Sequence, residues 1–299
     1  MSAGVLILTG ATASGKTALG IRIAQAMGAE IVSMDSRQVY RGMPIGTAAP
    51  TDAERALVPH HLIGFLDPRE RYSAARFVVD ALAAIDAIHA RGKRALIVGG
   101  TGFYLRALCG DTALAPERDD AIRARLAREI RLHPTEVLAD WLRALEPRRE
   151  SIPLDPYRLT RALEIALLAV SGAHPTESEP LPSLRSRGIA YRKMQLSIDP
   201  ALLAARIEER VERMLADGLI AEAERVGEDA LAADAVGYSD VFAYRRGEAS
   251  ERELRLLLAR ATRRYAKRQA TWFRSEPDLT VIGNADEALA LARTFPSWM

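Results

Sequence analysis

The strongest chemical signal in the sequence is a glycine-rich run near the N-terminus, Gly10-Ala11-Thr12-Ala13-Ser14-Gly15-Lys16-Thr17. It fits the pattern G-x-x-x-x-G-K-[ST], in which the glycines let consecutive backbone N–H groups point at phosphate oxygens. Lys16 is suited to neutralise the outer phosphates, and the Thr17 hydroxyl is suited to hold Mg²⁺. The sequence therefore predicts a loop that binds a polyphosphate.

This loop does not say which polyphosphate binds or which group is transferred. A nucleoside triphosphate is the usual ligand of the pattern. The sequence has no evident strand ending in Asp before residue 116, as a Walker B motif needs, and the third predicted strand ends in Gly99-Gly100-Thr101-Gly102 instead. A nucleoside triphosphate and a diphosphate ester therefore both stay open.

A second polar segment, Asp35-Ser36-Arg37-Gln38, directly follows the second predicted strand. In a doubly wound sheet the carboxyl ends of the strands face the ligand crevice, so we expect Asp35, Thr101 and the phosphate loop to converge there. Asp35 is suited to act as a general base, and the amide of Gln38 is suited to read a base edge. The alternative is that Asp35 only caps the helix that follows it.

Strands and helices must alternate to place these groups at one edge. Short apolar runs at 5–8, 31–34 and 95–98 are typical of buried strands, and residues 16–27 and 74–90 have apolar side chains at helical spacing. Unalternated strands between helices indicate an α/β fold, a P-loop core with a parallel sheet flanked by helices.

The character of the sequence changes near residue 116, where arginine-rich helical segments begin, and no further strand is evident until 191–198. We predict an inserted all-helical domain over 116–195, within a core formed by 1–115 and 196–299. Residues 171–187 are predicted to form the exit loop of the insertion. Long helices are predicted at 201–219 and 249–272.

Composition excludes several classes of protein. Of the 299 residues, 48% are hydrophobic and 27% are charged, which excludes collagen-like, disordered and disulfide-scaffold chains. No apolar run approaches the ~20 residues that cross a bilayer. The single cysteine, Cys109, excludes an internal disulfide and indicates a reducing, cytoplasmic location.

Charge is distributed unevenly along the chain. The net charge of +2 gives no sign of a nucleic-acid partner, but residues 251–274 contain eight basic and two acidic side chains. This density suits a phosphate backbone. Tyr265, Trp272 and Phe273 lie within the same segment and are suited to stack on bases, although aromatic residues at helical spacing more often belong to a core.

Together, several motifs resemble the tRNA dimethylallyltransferases, also called tRNA isopentenyltransferases. They are the phosphate loop, residues 35–48, Pro59-His60-His61-Leu62-Ile63, residues 99–108, Arg161-Ala162-Leu163-Glu164 and Lys267-Arg268-Gln269-Ala270-Thr271-Trp272, and the resemblance spans roughly residues 4–275. It implies transfer of a dimethylallyl group from dimethylallyl diphosphate to N6 of adenosine 37, which lies 3′ of the tRNA anticodon. Diphosphate would leave, with Mg²⁺ bound to it.

The resemblance also implies roles for single residues. Asp35 would be the base, Thr17 a contact of the diphosphate and the metal, and Arg206 a catalytic contact of the diphosphate. Arg210 lies one turn further along the same predicted helix face. The loop Gly10–Thr17 would bind the diphosphate. With the basic segment, the expected tRNA contacts are Asp35, Ser36, Arg37, Gln38, Thr101, Arg123, Arg158, Leu159, Thr160, Arg161, Arg263, Arg264, Lys267 and Arg268.

Two segments depart from the family pattern. Gly64 stands where the family usually has Asp, and Asp234-Ala235-Val236-Gly237-Tyr238-Ser239-Asp240 stands where it usually has R-C-V-G-Y-R-Q. The second change replaces two arginines and a glutamine by neutral or acidic residues in a segment expected near RNA. The adjacent His60 and His61 point to different faces of any regular element, which favours a structural or substrate-lining role over a metal site.

Other functions fit part of the sequence. A P-loop small-molecule kinase needs a Walker B Asp and gives no reason for the helical insertion or the basic C-terminal helix. An adenylate isopentenyltransferase would share the phosphate loop and Asp35 without needing elements that bind tRNA. A non-catalytic RNA-binding protein is disfavoured by the intact Lys16, Thr17 and Asp35. We expect a monomer that binds no membrane.

Overall fold

A computed structural model describes residues 4–112, 114, 119–171 and 181–298. The chain divides into two compact units, one formed by 1–112 with 182–299 and the other by 113–181. The larger unit is an α/β P-loop core and the smaller unit is helical, which confirms the predicted fold class. No helix in the described part of the chain is long and apolar enough to span a bilayer.

The larger unit contains a six-stranded sheet in the order β3-β2-β4-β1-β5-β6, and every neighbouring pair is parallel. Its strands are β1 (Val5–Gly10), β2 (Ala29–Ser33), β3 (His60–His61), β4 (Arg94–Gly99), β5 (Tyr191–Leu196) and β6 (Leu279–Ile282). The strands predicted at 5–8, 31–34, 95–98 and 191–198 are all present in it. The edge strand β6 escaped prediction because it is short and only its last residue is buried.

The strand β5 fixes the return of the chain to the larger unit. It pairs with β1 in a register that sets Val5 beside Tyr191, so it belongs to the central sheet. The boundary between the units therefore falls at 181/182 and not at the predicted 195/196. The other predicted boundary, 115/116, and residues 172–180 of the predicted exit loop lie outside the described residues.

Helices surround the sheet and form the smaller unit. In the described residues they are α1 (Lys16–Met27), α2 (Asp52–Leu57), α3 (Ala74–Ala90), α4 (Gly102–Cys109), α5 (Asp120–Leu132), α6 (Thr135–Leu145), α7 (Pro156–Val170), α8 (Pro200–Ala216), α9 (Leu219–Val226), α10 (Tyr238–Arg245), α11 (Glu251–Arg274) and α12 (Ala285–Arg293). The helices α5, α6 and α7 pack on one another around a core of leucines that includes Leu126, Leu142 and Leu163.

The helices that border the site begin at well-defined caps. The Asp199 side chain accepts the N–H groups of Ala201 and Leu202 at 2.8 and 3.1 Å, and Pro200 occupies the first position of α8. A capping box of Ser250 and Glu253 starts α11. The predicted helix at 201–219 ends earlier, at Ala216, because Gly218 takes a left-handed conformation and α9 begins after it.

Candidate active site

The phosphate loop runs from the end of β1 to the start of α1, as its sequence predicts. Gly15 precedes the helix with a φ of +94°, a conformation that favours glycine, and no side chain caps the first turn. The uncapped N–H groups and the helix dipole make this terminus a suitable place for an anion. The Lys16 ammonium donates to the carbonyl oxygen of Ala11 at 3.2 Å, which holds it beside the loop.

The loop forms one wall of a cleft of about 1530 Å³ that lies entirely within the larger unit. Opposite walls come from the segment that begins at Asp35, from residues 44–51, from α8 and from Tyr265 and Arg268 of α11. Single small-molecule pockets commonly measure about 300–1,000 Å³. The cleft therefore has room for more than one small ligand.

Asp35 lines this cleft and also shapes its own segment. Its Oδ1 accepts the backbone N–H groups of Arg37 and Gln38 at 2.9 and 3.3 Å. The capping interpretation is therefore right in part, although the segment that Asp35 caps is a turn and not a helix. Within the described residues Oδ2 has no hydrogen-bond partner, which leaves it available for a ligand.

Two half-buried cations lie near this carboxylate. Desolvation lowers the pKa of Lys16 to about 8, the nearby Asp35 acts in the opposite direction, and Arg210 lowers it further. Desolvation also lowers the pKa of Arg210, against the opposite effect of Asp35. Because the protein supplies less negative charge here than positive charge, an anionic ligand would be bound favourably.

The helix α8 holds the phosphate loop through two arginines one turn apart. Arg206 Nη1 donates to the carbonyl oxygen of Ser14 at 2.8 Å, and Arg210 Nη1 donates to the Thr12 hydroxyl at 2.7 Å. Both side chains line the cleft. The structure therefore brings together the loop and the two arginines that were expected to share one helix face.

The end of β4 joins the Asp35 segment, as expected for a parallel sheet. The Thr101 hydroxyl accepts the backbone N–H of Ser36 at 3.2 Å. Gln38 differs from expectation because the protein occupies both ends of its amide. Its Oε1 accepts the Ser33 hydroxyl at 3.0 Å, and its Nε2 donates to the carbonyl oxygen of Ala48 at 3.1 Å. In this structure Gln38 therefore holds a wall of the cleft and does not offer its amide to a base.

The basic residues of α11 that were expected to bind tRNA are exposed but not equivalent. Arg263 forms an ion pair with Glu208, whereas Arg264, Lys267 and Arg268 form no salt bridge with any described residue. The Arg268 guanidinium lies 5.6 Å from the centre of the Tyr265 ring. Tyr265 lines the cleft.

The other two aromatic residues of α11 are engaged elsewhere. Trp272 packs against Gly102, and the Arg106 guanidinium lies over its ring, 4.8 Å from the ring centre. Phe273 is buried. Of the three aromatic side chains considered for stacking, only Tyr265 therefore faces the cleft.

The structure of the smaller unit shows which of its expected RNA contacts are buried, which are paired and which are exposed. Leu159 is 1% exposed and packs in the helical core, so its side chain is not part of a surface. Arg161 and Arg123 lie 2.9 and 3.6 Å from the buried carboxylate of Glu164. Thr160 donates to the carbonyl oxygen of Pro156 within α7, and Arg158 is exposed.

Sequence reasoning missed Glu222, a fully buried carboxylate on α9. It accepts the N–H groups of Ile45 and Gly46 at 2.9 and 2.7 Å and the Tyr238 hydroxyl at 2.7 Å. These bonds hold the cleft wall at residues 44–51. The only sequence signal was its position on the apolar face of α9, in line with Leu219 and Val226.

The structure accounts for part of the departures from the family pattern. Asp234 forms an ion pair with Arg37, with nitrogen–oxygen distances of 2.6 and 2.9 Å, at the edge of the cleft. Tyr238, which the departure retains, is the partner of Glu222. Gly64 has a φ of +63°, and nothing in the structure explains the change at this position.

The two adjacent histidines have structural partners. His61 Nε2 lies 2.7 Å from the carboxylate of Glu30, which also binds Arg91. His60 Nδ1 donates to the carbonyl oxygen of Val58 at 2.7 Å. Among the residues that the structure describes, no group of three or more His, Cys, Asp or Glu side chains is placed to hold a metal ion.

Comparison with known proteins matches the chain to two family models and to several similar proteins. The family model described as IPP transferase matches residues 38–276, and the model described as isopentenyl transferase matches residues 3–60. A tRNA dimethylallyltransferase from Geobacter sulfurreducens is 40% identical over 97% of this chain and 96% of its own length. One from Anaeromyxobacter is 42% identical over 97% of each chain.

A solved structure supports the same relationship. The full-length tRNA isopentenylpyrophosphate transferase from Bacillus halodurans matches with a TM-score of 0.70 and 34% identity. The match covers 98% of this chain and 95% of that one. The similarity therefore extends over both units of the chain and over the whole cleft.

Proposed function

The chain belongs to the IPP transferase family, and from that premise we propose that it transfers a dimethylallyl group from dimethylallyl diphosphate to N6 of adenosine 37 of tRNA. The observation that carries the proposal is one cleft in which a phosphate loop, two desolvated cations and a carboxylate converge. A P-loop used in this way would stabilise a leaving diphosphate without transferring a phosphoryl group.

The donor side of the cleft supports departure of diphosphate. As the carbon–oxygen bond of the donor breaks, the electron pair leaves with the diphosphate, and negative charge grows on its oxygens. Lys16, Arg206 and Arg210 surround the loop that would hold those oxygens. Charges fixed in advance around a developing anion are among the largest contributions to catalysis.

The acceptor side of the cleft supports attack by an adenine amine. The lone pair of this amine is conjugated into the ring, so the amine is a poor nucleophile until it loses a proton. Asp35 Oδ2 would take the N6 proton as the new carbon–nitrogen bond forms. The Oδ1 atom stays bonded to two backbone N–H groups and so keeps the carboxylate oriented.

The chemistry of the loop fits Mg²⁺, which prefers oxygen ligands and usually retains substrate phosphates and water in its shell. Thr17 would supply a hydroxyl oxygen beside the diphosphate, and both Thr17 and Asp35 line the cleft. Most of the ligands would then come from the diphosphate itself. When bound, the ion would neutralise charge on the departing group.

The tRNA would contact the exposed basic side chains of α11 and the edge of the cleft near Ser36 and Arg37. Arg158 offers a further exposed cation in the smaller unit. A base in an anticodon loop must leave its stack to reach a carboxylate inside a cleft. The cysteine content supports a cytoplasmic location, and the monomer remains a prediction.

The proposal is tested with radiolabelled dimethylallyl diphosphate, Mg²⁺ and either unmodified tRNA or AMP. Label is expected in tRNA, and digestion should place it on adenosine 37. A tRNA with guanosine at this position is the matched control. Label in AMP alone would indicate an adenylate isopentenyltransferase, and phosphate transfer from ATP without any label would indicate a kinase.

A further inference from the structure

One residue of α11 reaches from the basic helix into the phosphate loop. The Gln269 side chain is buried, and its residue is 6% exposed. Its Oε1 accepts the backbone N–H of Thr12 at 2.7 Å, and its Nε2 donates to the carbonyl oxygen of Gly100 at 3.0 Å. A single amide thus joins α11 to the phosphate loop and to the end of β4.

These partners fix the orientation of the amide. An N–H group must face its oxygen and a carbonyl group must face its nitrogen, so exchanging the two ends would break both bonds. The approach is close, because a Cβ at Gly100 would lie 2.2 Å from Nε2. Only a glycine at this position admits the bond without a shift.

The bond also selects which N–H groups of the loop remain for a ligand. The Thr12 N–H is already used by Gln269, and the Thr12 hydroxyl already accepts from Arg210. Thr12 therefore acts as an anchor of the loop, while the uncapped start of α1 stays open toward the cleft.

We propose that Gln269 is a positioning residue that couples RNA bound on α11 to the affinity of the phosphate loop for diphosphate. The inference rests on the proposed function. Tyr265 and Arg268 lie on the same helix within one turn of Gln269, and both line the cleft. A shift of α11 on RNA binding would move the amide, and with it Thr12. The coupling is reciprocal, so diphosphate would change RNA affinity by the same factor.

The experiment titrates inorganic diphosphate with Mg²⁺ into the full chain by calorimetry, with and without saturating unmodified tRNA. The variant Gln269→Met has a similar volume and loses both bonds. We expect Gln269→Met to weaken diphosphate binding about tenfold, the usual cost of leaving a buried N–H unpaired.

The effect of tRNA gives the decisive result. In the wild-type chain we expect tRNA to change diphosphate affinity by about fivefold or more, and in Gln269→Met by less than about twofold. Leu256→Gln, an exposed position on the same helix, is the control and should match wild type. Thermal unfolding verifies that each variant is folded.

Two results would overturn the inference. The first is a folded Gln269→Met variant with wild-type diphosphate affinity, and the second is one with the wild-type response to tRNA. In both cases the proposed function stands, since the wild-type chain still binds both ligands. A wild-type chain that binds neither diphosphate nor tRNA would overturn the proposed function together with the inference.

Discussion

The cleft and the outer face of α11 both gather positive charge, but they place it in different surroundings. Lys16 and Arg210 are half-buried, held by hydrogen bonds to the phosphate loop, and desolvated enough that their pKa values fall. Arg264 and Lys267 stand in solvent. A charge in the cleft interacts strongly with few partners. A charge on the outer face of the helix is screened by solvent and salt, so it adds only a small increment to the binding energy of an anionic ligand.

This difference predicts separate roles, the reaction for the cleft and tRNA binding for the outer face of α11. The cleft can tell one ligand geometry from another because its charges and N–H groups are fixed. The face of α11 offers the sequence-independent attraction that any phosphate backbone provides. Substitutions in the cleft should therefore change rate or donor affinity sharply, and substitutions of the exposed cations on the outer face of α11 should change tRNA affinity gradually and in proportion to salt.

The largest effect should come from the carboxylate in the cleft. Asp35→Asn keeps an oxygen for the N–H groups of Arg37 and Gln38, so the turn should survive while the base is lost. We expect the single-turnover rate of dimethylallyl transfer to fall about 10²–10⁴-fold, the usual contribution of a general base. Affinity for tRNA should stay near that of wild type.

A matched control is Asp86→Asn, which changes an exposed carboxylate paired with Arg187. Its transfer rate should equal that of wild type. A near-normal rate in Asp35→Asn would remove Asp35 from the role of base and would weaken the distinction between the cleft and the helix face.

The second-largest effect should come from two arginines of the smaller unit, which were also expected to bind tRNA but have different surroundings from the exposed cations of α11. Arg123 and Arg161 lie beside the buried Glu164. Glu164→Gln should destabilise the smaller unit by about 3 kcal/mol, because the two arginines lose the buried counter-ion with which they form ion pairs. Thermal unfolding followed by circular dichroism measures it. Unchanged stability would return both arginines to the set of available RNA contacts.

The third effect is a pH dependence specific to the cleft. Lys16 carries its charge below its pKa of about 8 and loses it as the pH rises above that value. Affinity of the free enzyme for inorganic diphosphate should therefore fall by up to about tenfold per pH unit above pH 8. Calorimetry between pH 7 and 9.5 tests this, and Lys16→Met should show weaker binding with a flatter profile.

The smallest effects should come from the exposed cations of α11. In the double variant Arg264→Gln, Lys267→Gln, the slope of log affinity for tRNA against log salt should decrease by about one unit per lost contact. The rate at saturating tRNA should be unchanged. Arg245→Gln, an exposed arginine already paired with Glu224, serves as the control. An unchanged slope would mean that this face does not bind RNA.

Arg263 allows a paired and an unpaired cation of the same helix to be compared. Because it already pairs with Glu208, removing its charge should alter the salt slope less than removing Lys267. Filter binding of the two single variants at several salt concentrations measures the difference. Equal changes would show that the ion pair opens when tRNA binds.

Much of the fold and part of the site were predictable from short segments. The phosphate loop, the strands β1, β2 and β4 and the convergence of Asp35 with Thr101 follow from local patterns and from the rule that parallel strands end at one edge. The sequence pattern also placed Arg206 and Arg210 on one helix face. Each of these conclusions needs only neighbours within a turn or a strand.

Other features could not be predicted because the partners are remote in sequence. Glu222 shows only as a carboxylate on an apolar helix face until the structure brings it to Ile45 and Gly46. The amide of Gln38 had a plausible ligand role until the structure placed Ser33 and Ala48 against it. Leu159 was among the tRNA contacts that the family resemblance implied, and only its burial shows that it belongs to the core.

The sequence by itself determined the chemical groups and their local geometry, from the uncapped start of α1 to the carboxylate after β2. Tertiary structure decided which of those groups stay free. Thr12 and Gln269 are 257 positions apart, and Arg37 and Asp234 are 197 positions apart, yet each pair is in hydrogen-bond contact. Desolvation and hydrogen-bond pairing depend on everything packed around a group, which no local pattern specifies.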